Sequence, residues 1–133
     1  MSRQNVEIVR RAVEAWNRRD DGLWRNFAAP EIEWLPAGPA AVEGSVYRGY
    51  DEVASGLDSV WQTWDEVCFE EFEARDLDDV VLWLGHLKLR GATSHVELDQ
   101  EFGVRFVLRD GLLVTIQAFI GWREALEAMG LRE

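Results

Sequence analysis

Cysteine, histidine and proline are scarce in this chain, and positive charge is in short supply. A lone cysteine, Cys68, rules out an internal disulfide, so stability must come from packing. It also fits a reducing compartment, and the cytoplasm is the expected location. The two histidines, His86 and His95, have no Asp or Glu beside them at metal-ligand spacing, so no metal site is expected. The chain contains no Gly-x-Gly-x-x-Gly fingerprint, no Walker loop and no Gly-x-Ser-x-Gly elbow, and no cofactor is expected either. Lys and Arg total 14 against 25 Asp and Glu, a formal net charge of −11. Such a surface repels phosphate backbones and anionic lipid, which argues against nucleic-acid and membrane partners. Its plainest consequence is solubility. No apolar run approaches the roughly 20 residues of a membrane-spanning helix. The opening MSRQNVEIVRR is too charged for a secretion signal.

What is abundant is hydrophobic surface. Apolar residues make up 47% of the chain and seven of them are Trp, which predicts a folded globule with a real core. Length and the lack of linkers or repeats predict one domain, residues 1–133.

The last third organises the rest. VVLWLGHLKLR, HVELDQEFGVRFVLR and LLVTIQAFI are β-type runs separated by GATS and by Asp110-Gly111, a pair suited to a tight hairpin turn. From His95 to Arg109 the even positions are Val96, Leu98, Gln100, Phe102, Val104, Phe106 and Leu108, and the odd ones are mostly charged. A period of two with so clean a split predicts that the even face is buried. Gln100 is the one polar residue on it; either a neighbour satisfies its amide, or it reaches a ligand's polar atom.

Upstream, residues 5–18 carry Val6, Val9, Val13 and Trp16 at helical spacing, with Ser2 or Asn5 to cap the start. A short helix after Asp20-Asp21 is expected to end at Pro30, followed by a short strand over Glu31–Leu35. Residues 36–49 hold two Pro and three Gly and read as a loop, with Tyr47 its one large side chain. Asp51 starts a third helix with the stripe Val53, Leu57, Val60, Trp61 and Trp64; Gly56 inside it suggests close packing against a neighbour. In Glu66–Leu77 Val67 and Phe69 alternate, then the phase slips so that Phe72 and Ala74 continue the same face, which predicts a β-bulge or strong bend. Cys68, on this strand, reads as a buried, inert thiol. Trp122–Leu131 is a terminal helix ended by Gly130.

Helices followed by strands predict an α+β fold with helices on one face of an antiparallel sheet. Strongly bent, such a sheet forms a cone-shaped half-barrel wrapped on the N-terminal helices. The first strand of the meander is apolar on both faces for its first half and the last behaves likewise, and an apolar second face must be covered. A homodimer through the convex face is therefore expected, using Leu82, Leu84, Leu113 and Phe119.

The strings VEAWNRRD, FAAPEIEW, VYRGYDEV, VLRDGLLV and REALEAMGL, in that order and spacing, resemble the SnoaL-like branch of the nuclear transport factor 2-like superfamily. The resemblance implies a cone with a pocket between bent sheet and helices, in proteins that include ketosteroid isomerases, polyketide cyclases, limonene epoxide hydrolases and many of no known activity. It does not by itself transfer a reaction. Ketosteroid isomerases pair an Asp base with a Tyr and a protonated Asp. Anchored on the shared strings, those positions fall on Leu35, Ala12 and a residue near Val104, all apolar here, so the resemblance implies the fold without that chemistry. Glu33 remains as a candidate general base, since it shares a strand face with Leu35; burial there would raise its pKa toward a working value. The alternative is a solvent-facing Glu. The leading expectation is a binding protein for an apolar small molecule, held among Trp16, Tyr47, Trp61, Trp83, Val104, Phe106 and Ile116, with Gln100 and Glu33 as polar contacts. An isomerase- or cyclase-type enzyme using Glu33, and an interaction module whose cone is filled by its own side chains, are the two other readings.

Overall fold

Two helices lead the chain, α1 (Ser2–Asn17) and α2 (Asp21–Arg25), in a computed structural model that describes residues 2–37 and 45–131. Strands β1 (Ala28–Leu35) and β2 (Tyr47–Arg48) follow, then α3 (Gly49–Thr63). The long strands are β3 (Trp64–Leu77), β4 (Val80–Gly91), β5 (Glu97–Arg109) and β6 (Leu112–Ile120), and α4 (Trp122–Ala128) comes last. The sheet runs β2-β1-β6-β5-β4-β3. It is bent and unclosed, with α1, α2 and α3 in its hollow and α4 on its back, so the expected α+β cone is present.

The sheet is mixed where an antiparallel one was expected. β1 lies parallel to β6, with Trp34 beside Ile116 and Leu35 beside Gln117. Pro30, expected to end the second helix, lies inside β1. The β1–β6 register jumps between Ala28 and Glu33, so the proline falls where the ladder is interrupted, the setting a strand allows it. Tyr47, expected in a loop, pairs with Trp34 as part of β2. The central part of the 36–49 loop, residues 38–44, and any capping by the Ser2 side chain lie outside the described residues. Asn5 donates instead to the Asp78 carbonyl at 3.0 Å.

Two irregularities re-aim side chains. Between Glu71 and Glu73 the β3–β4 register shifts by one, as the slip in the sequence predicted. The extra residue, Phe72, does not continue the buried face: it is 66% exposed and stacks on Trp122 with centroids 4.8 Å apart. In β6, Val107 pairs with Thr115 but Leu108 with Leu113, so Val114 is bulged out. That turns Leu113 inward to the main core, away from the convex face assigned to it. Cys68 is exposed, because on edge strand β3 it alternates with the inward Val67 and Phe69.

The main core fills the space between the concave face and α1–α3. Asn17 joins the two layers. Its Nδ2 donates to the Phe69 carbonyl at 2.9 Å, and the Phe69 N–H donates to its Oδ1 at 2.8 Å. Asn17→Ala strands both backbone groups and is expected to cost about 1–3 kcal/mol. It should appear as a lower urea midpoint at unchanged slope.

On the convex face, Leu82, Leu84 and Phe119 are covered by Ala125 and Leu126 of α4. The need for a cover was read correctly, but the chain supplies it from its own C-terminal helix. Those residues are therefore not available as a dimer surface.

Candidate functional site

An apolar cavity of about 70 Å³ lies between helices and sheet. α1 contributes Val13 and Trp16 through its helical stripe, and α3 contributes Val53, Leu57, Val60 and Trp61. The sheet gives Val67 and Phe69, then Trp83, Leu87 and Leu89, then the even residues Phe102, Val104 and Phe106, and finally Ile116 and Ala118. Trp34, Pro36 and Ala37 complete the wall. The floor, around Trp16, Trp83 and Phe106, is buried; Trp34, Pro36, Ala37 and Trp61 are only half-buried and form the rim. Trp16 stacks on Phe106 at 6.1 Å, and Trp83 meets Phe69 edge-on at 6.3 Å. At the rim the Arg19 guanidinium sits over Trp61, 5.9 Å from the ring centre.

Of the residues expected to bind a ligand, Trp16, Trp61, Trp83, Val104, Phe106 and Ile116 come together in this wall. Tyr47 and Gln100 do not. Tyr47 stacks on Trp34 at 5.1 Å and packs beside Gly56, standing behind the wall. Gln100 lies on β5 opposite Leu87 but is half-buried and outside the lining, because β5 runs past the helices there and leaves Leu98 and Val96 exposed. Gly56 is the close approach its sequence position suggested: a Cβ there would fall 2.8 Å from Trp34.

Glu33 is on the wrong side of the sheet for a buried base. It does share a face with Leu35, but that face is the convex one, since the inward partners on β1 are Ile32 and Trp34. Its carboxylate accepts from Arg48 Nε at 2.7 Å, and its side chain is 40% exposed. Trp34 thus occupies the inward position next to the one anchored on Leu35. The other two anchored positions, Ala12 and Val104, are buried as hydrocarbon.

Two indoles in the wall are unusual. Trp16 and Trp83 are 7% and 1% exposed, and their Nε1 atoms have no hydrogen-bond partner. Among the described residues, no charged or other polar side chain lines the cavity. Displaced titrations sit in surface pairs instead. Arg90 hydrogen-bonds Asp65 and holds its carboxyl below the usual carboxylate range; Glu70 raises Lys88, and Glu71 raises Arg10. No group of three or more potential metal ligands occurs among the described residues, and none of their helices is long and apolar enough to cross a membrane.

The wall residues that sequence reasoning missed are chiefly Trp34, Phe69, Phe102, Leu87 and Leu89. Phe102 was on the even face, and the Ile32/Trp34 alternation marked Trp34. Leu87 and Leu89 alternate with His86, Lys88 and Arg90, a period of two that marked them as one face with Trp83.

No family model and no curated protein matches the chain. Solved structures do. An NTF2-like protein of unknown function from Burkholderia pseudomallei is 23% identical over 93% of this chain and 95% of its own, with a TM-score of 0.79. TerC, co-crystallised with polyporic acid, is 17% identical over 96% and 98%, TM-score 0.79. A protein of ketosteroid isomerase-like fold from Catenulispora acidiphila, in complex with trimethylamine, is 13% identical over 95% and 94%, TM-score 0.76. At such identities the likeness concerns the fold.

Proposed function

From the nuclear transport factor 2-like fold of this chain, we propose that it is a binding protein for a small, neutral, apolar molecule, taken up in the cavity between sheet and helices. One observation carries this: a wall drawn from α1, α3 and five strands whose described side chains are apolar or aromatic, yet which leaves space inside. Apolar pockets with few polar groups are the usual form of small-molecule sites. The exposed thiol of Cys68 supports a reducing compartment, the cytoplasm. The SnoaL-like strings support that branch of the superfamily.

The volume favours one second reading. About 70 Å³ is half of the roughly 150 Å³ of an engineered cavity that takes up benzene, so a ring-sized occupant requires the half-buried rim to move. If it does not move, the cone is a filled core and the chain an interaction module. Native mass spectrometry of the purified protein, and titration with single-ring aromatics followed by Trp fluorescence, decide between them. A co-purified small molecule or saturable quenching supports binding; neither leaves the filled cone. Glu33→Gln is expected to leave ligand affinity within about twofold, since its carboxylate lies on the opposite face; a surface change of this kind is worth at most ~0.5 kcal/mol.

A homodimer remains part of the proposal, through the half-buried convex patch beside α4 that includes Arg105, Val107, Thr115 and Gln117. Light scattering that finds only the 15.3 kDa monomer would remove it.

A further inference from the structure

We infer that the open edge of β5 at Glu97–Glu101 is a docking site for an extended segment of another protein, one whose residues alternate between basic and apolar. None of these five residues lines the cavity, so the site goes beyond the ligand-binding reading. The edge arises where two strands part. β4 pairs with β5 from Val107 back to Glu97, but β6 pairs with it only from Arg109 back to Phe102. Gly121, with φ at 85°, then turns the chain out of β6 and into α4. Beyond the last pair, the Gly121 N–H donates to the Glu101 carbonyl at 3.0 Å. Backbone groups along a strand point to its two sides in turn, so those of Glu97 and Asp99 point the same way as those of Glu101. They face the lane that β6 has left. Glu97, Leu98 and Asp99 are exposed, and no strand among the described residues pairs with them on that side. Elsewhere the chain covers such groups. On the terminal strand β3, Asn17 takes both backbone groups of Phe69, and Arg19 donates to the carbonyls of Trp64 and Asp65 at 3.2 and 2.8 Å. An uncovered edge is a template for pairing.

The side chains then choose the occupant. On one face of this edge stand the carboxylates of Glu97, Asp99 and Glu101. On the other, Leu98 is 37% exposed, and Val96, just before the strand, is 53% exposed. A strand laid alongside places its residues on these two faces in turn. Lys or Arg beside the acids gains cross-strand charge pairs, and an aliphatic residue beside Leu98 takes apolar surface out of water. The acids have capacity left for this. His86 Nδ1 lies 2.7 Å from Asp99 Oδ1, and Glu101 Oε1 accepts from the Trp122 N–H at 3.3 Å, but each carboxylate has about four acceptor sites. The net charge of −11 also draws a cationic segment toward the chain. A second copy fits badly, because two-fold pairing of this edge sets Glu97, Asp99 and Glu101 against the same acids. Main-chain bonds would supply affinity and the alternating side chains specificity, as in strand addition generally.

The test titrates the full chain with the capped peptides Lys-Val-Lys-Val-Lys, Glu-Val-Glu-Val-Glu and Lys-Ser-Lys-Ser-Lys, following amide resonances and hydrogen exchange by NMR. In the free chain the Glu97 and Asp99 amides are expected to exchange fast. The Lys-Val peptide should move the resonances of Glu97–Glu101 and slow exchange at Glu97 and Asp99. It should bind about tenfold tighter than the Glu-Val peptide and about threefold tighter than the Lys-Ser one. Glu97→Lys, an exposed change, should narrow the preference for Lys-Val over Glu-Val about threefold. Two N-methylated forms of the Lys-Val peptide, one methylated on its Lys and one on its Val residues, carry the same charge. Only one of them can present N–H groups to the edge, so their affinities should differ about tenfold. Equal affinity of the two overturns the inference, since charge attraction alone would then explain binding. Equal binding of the Lys-Val and Glu-Val peptides overturns it as well, and so does equal binding of the Lys-Val and Lys-Ser peptides. Slow exchange at Glu97 and Asp99 in the free chain shows an edge already occupied and overturns it too. Failure of the Lys-Val peptide to bind, or resonance shifts confined to other strands, has the same force. The peptide series needs no variant, so a misfolded Glu97→Lys protein does not spare the inference.

Discussion

Gly85→Ala is expected to destabilise the protein by about 3 kcal/mol, at the upper end of what overpacking normally costs. A Cβ at Gly85 would stand 2.5 Å from Trp83 Cη2 and closer still to the carbonyl oxygen of Glu70. A flexible side chain could swing away, but a backbone oxygen inside a paired strand has nowhere to go. The position is crowded because Gly85 lies opposite Glu71, just before the bulge at Phe72, where β3 bends across β4. One methyl group therefore presses on both the bend and a cavity wall residue, at a residue whose carbonyl accepts the Trp122 hydrogen bond. Urea unfolding should show a markedly lower midpoint, and hydrogen exchange should quicken first along β3. Gly22→Ala is the control. There the nearest atom is Asp20 Oδ1 at 3.8 Å, an ordinary contact, and alanine in a helix should be neutral or stabilising by up to ~1 kcal/mol. Comparable losses at both sites would show that the crowding around Gly85 is not what holds the bend.

That bend also marks how far the sequence could be read. The slip in alternation near Phe72 showed that a bulge was there, because inward Val67 and Phe69 fall out of phase with Ala74. It did not show which residue was expelled, since Phe72 is itself apolar and looked like a core residue. Its partner Trp122 is 50 residues away and becomes visible only once α4 is folded onto the sheet. The same limit applies to Leu113. Its parity placed it outside, and the bulge at Val114, which has no Gly or Pro to mark it, turned it in. From Phe102 to Leu108 the even residues do face inward, and with them Val104 and Phe106 in the cavity wall, but Val96 and Leu98, read as buried on the same face, are exposed because the strand there runs past the helices. Glu33 failed for a different reason. Its shared face with Leu35 is real, but choosing which face of β1 turns inward required Ile32 and Trp34 to be weighed against an anchored position borrowed from other proteins.

The largest change in solution behaviour is expected from Leu126→Asp. Leu126 and Ala125 press α4 onto Leu82, Leu84 and Phe119, and the fit is tight enough that a Cβ on Gly103 would fall 2.5 Å from that of Ala125. Deleting a buried Leu side chain alone costs about 2–5 kcal/mol. An unpaired carboxylate in its place adds desolvation that this small apolar cluster cannot offset, since its members are all hydrocarbon or Trp and Met side chains. Release of α4 is a less costly response than unfolding the sheet, because the main core lies on the other side of the strands. The freed face then exposes three large apolar side chains side by side, a patch that solution conditions drive to self-associate. The expected result is a lower thermal midpoint together with concentration-dependent masses above those of the parent by light scattering. Leu126→Met, which conserves volume, should cost less than about 1.5 kcal/mol and leave the mass unchanged. If the Asp variant instead keeps the parent's stability and mass, α4 does not seal the convex face. Leu82, Leu84 and Phe119 would then return as the contact surface that their apolar character first suggested.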